Sequence, residues 1–183
     1  LVESNHLDHP AGAVGALGSR SGRIRGLALR ELERVRDALR KPSSGRIAAE
    51  DPGADARAQL ADSADTLTAH LGDRDRAVAG LARDLLDRLG AQAIPRATNG
   101  LFHTDPAVQR ETARWLADLG AAALPARTAL VRSFTTTRNE EVRPHLVRAL
   151  AAVVSIPPEK LQRLAQRPLH ELIDGDDPAI AAD

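Results

Sequence analysis

The sequence predicts an all-α fold of stacked antiparallel helix pairs, and three observations carry that prediction. A phrase of residues recurs: Leu89-Gly90-Ala91-Gln92-Ala93-Ile94-Pro95 returns thirty positions later as Leu119-Gly120-Ala121-Ala122-Ala123-Leu124-Pro125. Apolar residues fall at three- and four-residue intervals, the spacing that puts them on one helical face. Hydrophobic residues make up 43% of the 183 positions but aromatics only 2%, namely Phe102, Trp115 and Phe134. A core of Leu, Ala, Val and Ile lets helices approach closely in thin layers. One helix pair cannot bury its own apolar face, so a recurring phrase argues for a stack.

Residues 1–19 are irregular, because His9-Pro10 and the glycines at 12, 15 and 18 disfavour a long helix; a short one fits Ala11–Leu17. From Gly22 to Leu39 the stripe Ile24, Leu27, Ala28, Leu32, Val35, Leu39 predicts a helix whose other faces carry arginines and acids. Pro42-Ser43-Ser44-Gly45 ends it, and the stretch to Asp51-Pro52-Gly53 reads as a loop. Leu60, Ala64, Leu67 and Leu71 predict a helix over 54–71, broken at Gly72-Asp73. A helix follows over 75–89, closed by Gly90, where positive φ is tolerated. Its partner spans 93–101. Asp105 then reads as an N-cap with Pro106 at the first helical position, where a missing donor costs nothing. That helix ends at Leu119, and its partner spans 122–133. A further helix is predicted over 140–153, with Pro144 in its first turn. Pro157-Pro158 opens a shorter helix through Leu164 and Ala165, and Leu169–Ile173 forms a last turn.

Four stripes align. Ile24, Val78, Val108 and Val142 share one place, followed eight residues later by Leu32, Leu86, Leu116 and Leu150, and eleven residues later by Val35, Leu89, Leu119 and Val153. Asp177-Pro178-Ala179-Ile180 echoes Asp105-Pro106-Ala107-Val108, so residues 174–183 read as a polar end or a truncated next repeat. The chain is expected to form a single domain over 1–183, with its clearest repeats at 73–154.

Asp105-Pro106-Ala107-Val108, then Ala113, Leu116, Leu119-Gly120, Ala123 and Pro125, form a pattern that resembles the HEAT-repeat family. The likeness is greatest to the short bacterial HEAT-like repeats and the phycobilisome-lyase-type modules. It implies a right-handed α-α superhelix of the armadillo/HEAT kind. Arg25 and Arg143 match the basic residue that usually follows the apolar position, whereas Ala79 and Gln109 depart from it. Family members are mostly protein-binding scaffolds; some bind nucleic acid and a few are enzymes.

Basic and acidic residues number 25 each, so no excess charge points to nucleic acid or acidic lipid. Cysteine is absent, which excludes disulfides and thiolate chemistry and suits a reducing, cytoplasmic setting. No run of 18 apolar residues predicts a membrane span, and the first residues lack a signal-peptide pattern. No phosphate-cradling glycine loop, zinc-protease helix or serine elbow occurs, so no catalytic residue is assigned and no cofactor is expected. His6-Leu7-Asp8-His9 is a compact metal-capable cluster, but two histidines and one aspartate fall short of a zinc site.

The expected function is a non-catalytic scaffold for a protein or peptide. Its candidate binding residues are the polar positions of successive second helices: Arg96, Asn99, Arg127 and Arg132. The alternative is a nucleic-acid-binding module using Arg127, Arg132, Arg138, Arg143 and Arg148, set against Glu140 and Glu141 nearby, and an enzyme or enzyme-accessory subunit is the third reading. Trp115 is expected between adjacent helices as packing. Neither the partner's identity nor the oligomeric state is legible.

Overall fold

The computed structural model describes residues 9–40 and 52–154, and every regular element among them is helical. Residues 42–51 of the expected loop, the helix from Pro157, the turn at Leu169–Ile173 and residues 174–183 lie outside the described residues, as do His6 and Asp8. Pro52 and Gly53, expected at the end of that loop, instead open a helix, where proline's missing donor costs nothing. Helix α1 (Pro10–Ala16) precedes α2 (Gly22–Arg40), α3 (Pro52–Asp62) and α4 (Ala64–Ala69). Then come α5 (Arg76–Leu89), the single turn α6 (Ile94–Ala97), α7 (Pro106–Leu119), α8 (Arg127–Thr136) and α9 (Arg143–Val154).

The two repeats that share the recurring phrase start and stop alike. Asp75 Oδ1 accepts a hydrogen bond from Ala77 N at 2.9 Å, and Asp105 Oδ1 from Ala107 N at 2.8 Å, so each caps its helix. Gly90 and Gly120 close these helices with φ of 54° and 56°, a region that strains any residue with a Cβ.

Four elements differ from the helices that periodicity alone predicts. The helix expected over 54–71 breaks at Ser63, whose hydroxyl donates to Gln59 O at 3.1 Å and whose backbone leaves the α region. The partner helix expected at 93–101 is divided into 3-10 turns over Gly90–Ala93 and Thr98–Phe102 around the α turn Ile94–Ala97. That expected at 122–133 begins as a 3-10 segment, Gly120–Ala126, and is α-helical from Arg127. Pro125, inside its 3-10 segment, lacks the N–H that a regular ladder needs, whereas Pro95 sits in the first turn of Ile94–Ala97, where the missing donor costs nothing. The last helix starts at Arg143 rather than 140. Asn139 holds the intervening turn, its side-chain oxygen accepting from Glu141 N at 2.9 Å and its carbonyl from Arg143 N at 3.2 Å.

Packing follows chain order, in a bundle- or solenoid-like architecture. Helix α2 rests on α1 and α5, α4 lies against α5 and α6, and α9 lies against α7 and α8. Leu32, Leu86 and Leu116, at one shared repeat position, are all fully buried, while Leu150 is half-buried against the same core. Each such leucine contributes about 1.5–3 kcal/mol relative to exposure. Trp115 is also fully buried, as packing between helices requires, and its indole N–H meets no acceptor among the described residues. At Gly72 the boundary between repeats closes tightly: a Cβ there would sit 2.8 Å from Val108 Cγ2 and 2.9 Å from Val108 N.

Candidate functional site

Two faces of the stack use their charges differently. The first helices of successive pairs are α2, α5, α7 and α9. They are laced together by Arg36 Nη1–Asp84 Oδ2 at 3.4 Å, Arg83 Nη2–Asp118 Oδ2 at 2.6 Å, and Arg110 Nη1–Glu141 Oε2 at 3.2 Å at the turn before α9. Arg83 also reaches Asp87 at 3.1 Å. Burial works against the Arg83 charge, but its hydrogen bond to Asp118 and the charges of Asp87 and Asp118 outweigh it, and its pKa rises. Arginines held this way are committed within the molecule.

The second members of the pairs, residues 90–102 and 120–136, carry the predicted binding residues. Arg96 is exposed but already engaged, its Nη2 lying 2.9 Å from Asp62 Oδ1 of α3. Asn99 and Arg127 are exposed. Arg132 is exposed with its guanidinium 5.4 Å above the centre of the Phe102 ring. Neither Arg127 nor Arg132 has a carboxylate partner among the described residues. This side also exposes large apolar groups: Phe102 at 43%, Val131 at 44% and Leu124 at 53%. Phe102, at a repeat boundary where a pocket could form, is expected from sequence to pack under the turn and is instead exposed. Leu124 aligns with Ile94, which is buried, and nothing in the residue type separates those two.

The wider arginine set of the nucleic-acid alternative is divided by the fold. Arg127 and Arg132 lie on α8. Arg138 is exposed in the turn after it, while Arg143 and Arg148 belong to α9. Arg143 is half-buried with its guanidinium 4.9 Å from the centre of the Phe134 ring, so packing occupies it.

A cleft of about 430 Å³ opens where the end of α8 and the turn at 137–139 face the turn at 102–106. Phe102, Thr104, Gln109, Thr136, Arg138 and Asn139 are among the residues that line it. Gln109 Nε2 donates to His103 O, and Thr136 Oγ1 donates to Arg132 O at 2.8 Å. No protein-family model and no curated protein matches the chain. Two solved structures, each described as an engineered protein, are similar to it in part. One is 21% identical with a TM-score of 0.45, over 92% of this chain and 44% of that protein. The other is 23% identical with a TM-score of 0.40, over 94% of this chain and 74% of that one. The chain thus spans under half the length of the first of these proteins.

His145 of α9 is held below its ordinary pKa, first by burial and then by the charges of Arg114 and Arg110, which outweigh the attraction of Glu111. Among the described residues no group of His, Asp and Glu is placed to hold a metal ion, and no helix is long and apolar enough to cross a membrane.

Proposed function

We propose that this chain is a HEAT-like α-solenoid, coiled as a right-handed superhelix, that works as a non-catalytic scaffold for protein partners. The observation that carries the reading is the asymmetry between its two faces. Arg36, Arg83 and Arg110 of the first helices reach carboxylates of the neighbouring pair, whereas Arg127 and Arg132 on α8 have no carboxylate partner among the described residues and lie with exposed Phe102, Leu124 and Val131. A surface mixing accessible aromatic, aliphatic and guanidinium groups is what a protein interface uses as anchors. Stacked helix pairs also offer an extended strip rather than one pocket. Arg96 joins this strip through its ion pair with Asp62, and Asn99 adds a hydrogen-bonding amide.

The test is affinity capture from the source cells, comparing wild-type protein with the variant Arg96→Glu, Arg127→Glu, Arg132→Glu, each checked by circular dichroism. A partner held by the wild type, lost by the folded variant and bound again as a purified pair would support the reading. Equal capture by both would remove the strip. Salt-sensitive binding of single-stranded DNA or RNA with no protein partner would favour the nucleic-acid alternative instead.

A further inference from the structure

The cleft beside α8 has a structural origin in the repeat itself. Val78, Val108 and Val142 mark the same position in three successive first helices, so Gly72, Phe102 and Thr136 are also equivalent, each six residues earlier. At the first of these boundaries the absence of a side chain lets Gly72 meet Val108 and Ala107 directly, and the junction is shut. At the next, a phenyl ring stands where glycine stood. Phe102 lies 43% exposed at the junction with residues 137–139, and the space left open is the cleft.

Its chemistry is one-sided. Arg138 is exposed at the cleft wall and has no carboxylate partner among the described residues. Thr104 contributes a hydroxyl with no hydrogen bond recorded among the described residues. No carboxylate lines the cleft itself. Of the three nearby, Asp105 accepts from Ala107 N, Glu141 is paired with Arg110 at 3.2 Å, and Glu140 lines an adjoining depression that shares Arg138 and Asn139 with the cleft. The Phe102 ring, with Arg132 stacked on it, supplies a stiff apolar wall carrying a second cation.

We infer that the cleft receives an acidic side chain of an extended peptide, with Arg138 and Thr104 binding the carboxylate and the Phe102–Arg132 pair bracing the neighbouring peptide residues. This rests on the scaffold reading and adds to it the class of partner. Arginine binds a carboxylate through charge-assisted hydrogen bonds, which favour glutamate over its uncharged amide. The volume accommodates one side chain and its flanks rather than a folded domain.

The experiment uses the full chain and arrayed eight-residue peptides that differ only in glutamate or glutamine at the central position, followed by fluorescence anisotropy on the best pair. A separate synthetic peptide of residues 168–183, the acidic segment of this chain, is tested beside the array. The glutamate peptide should bind about tenfold more tightly or better than its glutamine twin. Arg138→Ala should erase that preference, and so should Phe102→Gly, which restores the residue of the closed junction. Arg30→Ala, on α2, should leave it unchanged. A preference that survives Arg138→Ala, or no preference at all, would overturn the assignment. Selective capture of the 168–183 peptide alone, or tighter binding of oligouridine that is lost in the same variants, would also overturn it in favour of those occupants. Should the cleft variants keep the captured partner that the Arg96, Arg127, Arg132 variant loses, the cleft assignment fails while the scaffold reading stands.

Discussion

Gly100 lies between two fully buried threonines that are already committed: Thr68 Oγ1 donates to Ala64 O at 2.5 Å and Thr112 Oγ1 to Val108 O at 2.7 Å. A Cβ added at Gly100 would overlap Thr68 Cγ2 and Thr112 Oγ1. Gly100→Ala should therefore cost about 1–3 kcal/mol by overpacking, seen as a lower midpoint in thermal unfolding. A gain in stability would mean the threonines can move aside freely. His145 makes a pH prediction. Its folded pKa is below the unfolded value of 6.5, so the unfolded chain takes up a proton first as pH falls. The neutral ring's contribution is intact above about 6.5, is lost as pH drops from there toward the folded value, and levels off below it. The thermal midpoint of wild type should fall more steeply between pH 7 and pH 5 than that of His145→Gln; parallel profiles would count against this. Neither residue's setting is legible in sequence. Gly100 resembles an ordinary helix breaker, and His145 lies thirty-one residues from Arg114, which lowers its pKa.

Capping belongs to the helical element and was legible. Asp105-Pro106 predicts the start of α7, and the side chain of Asp105 accepts the bond that the motif requires. Asp105→Ala should cost about 1 kcal/mol, equivalent to roughly 2–4 °C for a protein of this size. Asp75→Ala should match it, because both caps have the same partner two residues on. An unchanged midpoint in either variant would show that water replaces the cap without loss. The second members were less legible. Apolar spacing placed them on the chain but gave them regular helices, whereas the first is mostly 3-10 and the second is 3-10 as far as Ala126, with Pro125 inside that stretch. Periodicity records which face is buried and says little about which hydrogen-bond ladder the backbone adopts.

Because packing follows chain order in this molecule, damage should stay near its source. Leu116→Ala, at a fully buried site, should cost about 2–5 kcal/mol. Amide hydrogen exchange should then quicken most in α7 and its neighbour α9, with α1 and α2 least affected. Uniform acceleration over every helix would indicate one indivisible cooperative unit instead. The same serial arrangement explains the ion pairs between first helices. Being partly exposed, they contribute only about 0–1 kcal/mol each. Their larger consequence is to occupy those arginines and leave the ones on α8 available.

The sequence by itself determined the all-α class, the repeat spacing, the capped start of α7 and the buried stripe, because these follow from periodicity and from side chains acting on nearby backbone. Only the tertiary structure decided which arginines are spent on neighbours, that Leu124 is exposed while Ile94 is buried, and that Phe102 props open a cleft which Gly72 closes one repeat earlier. Those outcomes depend on groups about thirty residues apart meeting across a boundary, and spacing along one helix carries no record of what the next one brings.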